Sequence, residues 1–188
     1  MRETSRKSQN KRSENSQSSR ICLPILSWSF ALLLTLVFST SGFCDGSESA
    51  DRVLIEKKAR RLTLYSHGQV IRTYKVALGR KPEGPKEREG DRKTPEGVYV
   101  INSRNSSSGF HLALHISYPN AADVERAKRL GVSPGGNIMI HGMKNGFGWT
   151  GRFHRWFDWT AGCIAVTDSE IDEIAALVPV GTTVEIRP

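Results

Sequence analysis

From Arg52 onward, apolar residues recur mostly at every second position, the period of a half-buried strand rather than of a helix. Three short runs of this kind, Val53–Glu56, Arg61–Tyr65 and Val70–Ala77, predict strands. The Ser-His-Gly-Gln sequence at Ser66–Gln69 predicts a hairpin turn between the second and third, with His67 as a turn residue. Further strands are expected over Val98–Arg104, over Phe110–Asn120, in the run that ends at His141, over Cys163–Val166 and in the C-terminal Thr182–Pro188. Two short helices interrupt them. Asn120 caps one that runs through Leu130, with Asp123 three positions after the cap and Gly131 as its stop. Thr167 and Glu170 form a capping box that opens the other, over Asp168–Val178. Between the strands, Arg80–Gly97 is charged and rich in Pro and Gly, without a phosphate-loop pattern, and reads as a solvated loop or one wall of a cleft. The pattern predicts a mainly β single domain with two short helices. Its 137 residues, 52–188, suffice to bury roughly two-thirds of the unfolded surface.

The N-terminal part follows another logic. Twenty polar, basic residues precede an apolar stretch that is densest from Trp28 to Phe38 and ends in Ser39, Thr40, Ser41 and Gly42. A basic region, a short apolar core and small residues make a secretory signal peptide, expected over 1–44, with a linker over 45–51. An uncleaved anchor is the competing reading, but Pro24 and the serines shorten the apolar run below the ~20 residues of a spanning helix. Either way the domain is expected outside the cytoplasm, in the periplasm or cell envelope, with membrane contact only through this segment. Residues 1–44 hold 6 basic and 2 acidic groups and residues 45–188 hold 21 and 17, so each part contributes +4 to the total of +8. Half of the basicity is therefore leader, and the rest lacks the basic-aromatic platform of a nucleic-acid binder.

Cys163 is the only cysteine inside the domain, since Cys22 lies in the leader and Cys44 at its border. A lone cysteine kept in an oxidising compartment points to reactivity, with a Cys44–Cys163 disulfide as the alternative. His141 lies 22 residues ahead of Cys163; Gly142 and Gly162 adjoin them, and a loop rich in Trp, Phe and Gly connects them. A thiol becomes a good nucleophile when a histidine takes its proton, and glycine lets backbone N–H groups approach a developing oxyanion. Such a pair predicts a thiol pKa below its ordinary value. An inert buried thiol and a core histidine fit the same residues, and at this level both readings stand. The cysteines are too few, and the histidines wrongly spaced, for a metal site. His111 and His115, four apart on an expected strand, share a face and are candidates for substrate contact or for structure.

The string from Ile140-His141-Gly142 to Asp158-Trp-Thr-Ala-Gly-Cys-Ile-Ala-Val166 resembles the L,D-transpeptidase catalytic domain (YkuD-like) family, whose signature is His-Gly followed by Ser/Thr-x-Gly-Cys. The strings at Lys93–Ile101, Leu114–Asn120, Pro134–Gly142 and Val178–Pro188 are similar to the YafK-like murein branch, so the likeness spans Arg52 to Pro188. The resemblance implies a β-sandwich-like catalytic domain acting on peptidoglycan stem peptides, without a cofactor. It implies Cys163 as nucleophile through a thioester acyl-enzyme, His141 as base, and Gly142, Thr160 and Gly162 as oxyanion or loop support. Many family members carry an arginine two residues after the cysteine, where this chain has Ala165. His154 and Asp158 are the candidates to compensate for it or to order an aromatic lid, and His115 and Tyr118 are further candidate substrate contacts. The acyl-enzyme can be resolved by an amine, which forms a cross-link, or by water. The same branch also includes hydrolysis of the amide between wall and lipoprotein, which makes a wall-linked lipoprotein a second candidate partner. A wall-binding module without catalysis is the alternative from another class.

Overall fold

The computed structural model describes residues 48–188. The expected leader, and the first part of the linker, lie outside those residues. Ala50, in the linker's second half, is already buried, and its N–H donates to Leu177 O at 2.8 Å.

Eight strands form one curled sheet: β1 (Arg52–Glu56), β2 (Arg61–Ser66), β3 (Gln69–Lys75), β4 (Gly97–Asn105), β5 (Ala113–Ile116), β6 (Met139–His141), β7 (Ile164–Ala165) and β8 (Thr183–Arg187). Their order across the sheet is β3-β2-β1-β8-β4-β5-β6-β7. The β1–β8 and β6–β7 pairs are parallel and the others antiparallel. The hairpin turn falls where the sequence puts it, with His67 and Gly68 both at positive φ, as a tight turn between twisted strands requires. The inward faces of the strands meet α2 (Asp168–Leu177), which buries Ile171 and Ile174 among Ile55, Leu64, Ile140 and Ile164. Both expected helix caps form, Asn120 with Asp123 on α1 (Ala121–Arg129) and Thr167 with Glu170 on α2.

Two expectations need correction. Extended structure over Phe110–Asn120 is confined to β5, because His111 takes a left-handed φ of 58° and turns the chain. His111 and His115 therefore do not share a strand face; His111 Nε2 instead pairs with Asp172 of α2 at 2.9 Å. The aromatic loop, for its part, contains a 3-10 helix at Gly148–Trp156, kinked at Gly151.

The two ends of the curled sheet are joined. Past Lys75 the chain of β3 continues alongside β7, and Ala77 and Ala165 exchange both backbone bonds, at 2.9 and 2.8 Å. Thr160 extends the seam, its N–H donating to Leu78 O and its carbonyl accepting from Arg80 N–H, both at 3.1 Å. Glycine permits this close packing. A Cβ on Gly79 would lie 2.3 Å from Arg92 O, and one on Gly162 would lie 2.7 Å from Lys93 O. Those carbonyls belong to the Arg80–Gly97 loop, which is anchored rather than merely solvated. Lys57 is buried and donates to Gly84 O, Thr94 O and Glu96 Oε1 at 2.6, 3.0 and 2.7 Å, while the Asp91 carboxylate gathers Lys86 and three backbone N–H groups.

Three substitutions test this frame by urea unfolding. Lys57→Ala leaves Glu96 and two carbonyls without their partner and is expected to lower stability by about 3 kcal/mol. Gly162→Ala combines a φ of 139° with a backbone clash and is expected to cost at least about 3 kcal/mol. Gly68→Ala, at positive φ but in open space, should cost only about 1 kcal/mol. Equal effects of the two glycine substitutions would show that the close packing at Gly162 contributes nothing.

Candidate active site

His141 is the last residue of β6, and Cys163 immediately precedes β7. The parallel register pairs Ile140 with Ile164 and His141 with Ala165, which sets Cys163 level with Met139. Side chains alternate across a strand, and Ile138, Ile140, Ile164 and Val166 all enter the core. Met139, His141, Cys163 and Ala165 consequently occupy the opposite face. His115, paired with Met139 across β5, lies on that face as well. The sheet thus brings His141 and Cys163 to adjoining strands, one residue pair apart on the same side.

His141 is 2% exposed and sits between two rings, Phe110 with its centroid at 4.4 Å and Trp159 at 5.9 Å. Its Nδ1 lies 2.6 Å from Gly142 O. A carbonyl can only accept, so Nδ1 carries the hydrogen and the lone pair sits on Nε2. Cys163 is half-buried, and its thiol donates to Asn137 O at 3.5 Å. Burial pushes the thiol pKa up, against the smaller opposing effects of the Met139 N–H and the Lys86 charge. Burial also pushes His141 down, only partly opposed by its bond to Gly142. The depressed thiol expected from the sequence is therefore reversed in the resting protein: both groups are held neutral.

The neighbouring residues divide into supports and non-participants. Thr160 ties the turn that carries Cys163, donating to Cys163 O at 2.7 Å and accepting from Gly162 N–H at 3.1 Å. That bond occupies the Gly162 N–H and leaves the Cys163 N–H as this turn's candidate oxyanion donor. Gly142 is no such donor, because its N–H is bonded to Leu112 O at 3.2 Å. It is small because α2 packs against it, and a Cβ there would lie 2.7 Å from Asp168 Oδ1. Ala165 is fully buried, paired to Ala77 on one side and His141 on the other, and offers a substrate only a methyl group.

His154 and Asp158 are both committed to partners within the protein. Asp158 accepts from Arg60 Nη2 at 2.7 Å and from Leu78 N–H at 2.9 Å. His154 is buried, its Nδ1 accepts from Trp159 Nε1–H at 3.5 Å, and burial lowers its pKa to about 4. Arg155 and Glu170 form an ion pair that fastens the lid to α2. Tyr118 is part of the core, its hydroxyl donating to Pro134 O at 2.8 Å, which gives it a structural role. Phe110, Asn137 and Lys86 were not singled out by the sequence. Only Asn137, following two glycines and taking a left-handed φ of 55°, carried a local signal of a special turn. Among the described residues, no cluster of His, Cys, Asp or Glu could hold a metal ion.

A family model described as the L,D-transpeptidase catalytic domain, YkuD, matches residues 50–186. YafK of Escherichia coli strain K12, provisionally described as an L,D-transpeptidase, is 33% identical over 132 residues, which make up 67% of this chain and 46% of YafK. The chain thus spans about half the length of the curated relative it matches. Among solved structures, the helical cell shape determining protein Pgp2 of Campylobacter jejuni aligns with a TM-score of 0.58 at 26% identity, over 75% of this chain and 48% of Pgp2. Bd1075 of Bdellovibrio bacteriovorus aligns with a TM-score of 0.52 at 25% identity, over 74% of this chain and 48% of Bd1075. The family match runs from buried Ala50 to Ile186 in the last strand and takes in the whole curled sheet with both motif residues. The chain belongs to the YkuD family of L,D-transpeptidase catalytic domains.

Proposed function

We propose that the protein is an acyltransferase of the cell envelope that cross-links or remodels peptidoglycan through a thioester on Cys163. The observation that carries this reading is the fixed tautomer of His141. With Nδ1–H committed to Gly142 O, the Nε2 lone pair is the base, on the sheet face it shares with the thiol. In the first step the thiol leaves Asn137 O and passes its proton to Nε2, while Sγ attacks the carbonyl carbon of the third stem residue. The Cys163 N–H stabilises the oxyanion. Collapse breaks the C–N bond, and His141 returns the proton to the departing D-alanine amine. An amine of a second stem peptide then attacks the thioester, gives up its proton to Nε2 and releases the thiol with a new amide. Water in place of that amine gives hydrolysis, and an amide to a wall-linked lipoprotein as donor gives its release.

This substrate lies outside the cytoplasm, which agrees with residues 1–44 acting as a leader and the rest as the catalytic domain. Ala165 is buried and supplies no charge, so recognition of the stem falls to other groups. His115, on the same face as Met139, is one candidate from the sequence.

Incubation of the protein with sacculi, followed by separation of the muropeptides, tests the chemistry. New cross-linked dimers are expected with the wild type and none with Cys163→Ala. Loss of protein-linked stems without dimers would assign the hydrolytic outcome, and no change in either would remove the proposal. His141→Ala is expected to slow the reaction by about 10²–10⁴-fold. The acid limb of kcat/KM should lie below the ordinary histidine value of about 6.5, because a lowered pKa keeps His141 neutral and basic further into acid. In the free protein, iodoacetamide alkylation should inflect above the ordinary thiol value of about 8.5, since burial raises Cys163. An inflection well below that value would contradict the neutral resting pair.

A further inference from the structure

The connection between His141 and Cys163 carries an exposed aromatic surface. Trp149 and Trp156 are 80% and 79% exposed, Phe153 and Phe157 about two-thirds, and Phe147 about half. These five large rings fall within eleven residues. Phe147, Phe153, Trp156 and Phe157 line a groove of about 450 Å³, and Trp149 stands exposed in the same segment. Monomeric proteins rarely leave such a contiguous apolar patch facing water. It is also held in shape without a partner: Phe153 and Trp156 stack edge to face at 5.1 Å, and the Arg155–Glu170 pair fixes the segment to α2.

The polar groups here say what kind of occupant fits. Thr150 hydroxyl is committed to Phe147 O at 2.8 Å, and the one other polar side chain apart from Lys144, His154, is buried with Nδ1 taken by Trp159; the remaining lining is ring faces, Met143 and the stem of Lys144. A sugar or a peptide backbone would surrender hydrogen bonds to water here and recover few of them. A hydrocarbon chain loses nothing. The patch is also flanked by positive charge. Lys144 and Arg152 are exposed and, among the described residues, neither is in an ion pair; of the nearby carboxylates, Asp158 and Glu170 are neutralised by Arg60 and Arg155, and Asp168, packed beneath Gly148, accepts from the Met143 N–H. Exposed Trp and Phe beside uncompensated Lys and Arg match the interface of an anionic bilayer, where rings sit at headgroup depth and cations meet lipid phosphates.

We infer that the 147–157 segment docks the domain onto an anionic membrane surface through its exposed aromatic residues, with Lys144 and Arg152 meeting the headgroups. The docking is independent of the reaction proposed for Cys163. It would hold the mouth of the cleft beside the bilayer, within reach of wall peptides close to a membrane.

Tryptophan fluorescence of the full chain tests this with vesicles of phosphatidylcholine, alone or mixed with phosphatidylglycerol, with and without brominated acyl chains. The apolar composition of residues 21–38 predicts vesicle binding of its own, so the reading is the difference between the wild type and W149S/W156S. Trp28 and Trp159 are common to both and cancel. The difference emission is expected to shift to the blue on anionic vesicles and to be quenched by bromine, with circular dichroism of the two proteins identical. K144Q/R152Q should weaken binding to anionic vesicles by about tenfold or more and leave the weak binding to neutral ones unchanged. A difference spectrum that no vesicle shifts or quenches overturns the inference. So does one that only purified glycan strands shift, which would give the surface to the wall. Unchanged anionic binding in K144Q/R152Q would remove the headgroup contact and with it the choice of an anionic bilayer.

Discussion

Everything in this domain depends on two alanine peptides exchanging hydrogen bonds. An open sheet of eight twisted strands has two raw edges, each a row of unpaired donors and acceptors. Here the edge beyond β3 meets the edge at β7 through Ala77 and Ala165, with Thr160 extending the contact. The seam joins the two edges at that end and also sets the path of the chain into Cys163. Small side chains make it feasible: Gly79 and Gly162 pack directly against carbonyls of the Arg80–Gly97 loop. Lys57 and Asp91 keep that loop in place from behind. The nucleophile is thus positioned by a backbone corner rather than by its own contacts, of which the thiol makes only weak ones.

The electrostatics of the pair follow from its place in that corner. His141 is enclosed by two aromatic rings and its own strand, and the half-buried Cys163 has one N–H and one distant ammonium to favour its charge. An ion pair formed here would have to be desolvated with few compensating bonds. The neutral pair is therefore the resting state, and the charges arise only when a reacting carbonyl is present to use them. A thiol kept protonated also resists oxidation, which runs through the thiolate.

Much of the architecture was legible from local chemistry. Asn120 with Asp123 and Thr167 with Glu170 announced both helices, because caps are read within four residues. The hairpin at His67–Gly68 and the motif residues at the ends of β6 and β7 were equally local. What escaped was set by distance or by conformation. His111 looked like part of an alternating strand until its left-handed backbone removed it. Asp158 fitted a substrate contact or an ordered loop equally, and its partners, Arg60 and Leu78, lie some eighty or more residues away, beyond local reading. The thiol pKa was misjudged for the same reason: a neighbouring histidine is visible in a sequence, whereas desolvation is a property of the packed site.

The parallel pairing of β6 and β7 has a topological consequence. Antiparallel neighbours can be joined by a two-residue turn, but parallel neighbours need a crossover of about a dozen residues or more. Placing a histidine and a cysteine on adjacent parallel strands therefore obliges the chain to carry a long excursion between them. The lid is in this sense a by-product of strand direction, present before any demand for it. Once there, its tips are free to vary while the two strand ends stay fixed. The architecture thereby separates what must be kept from what can be tried: drift in the excursion changes what the domain meets without disturbing how it reacts.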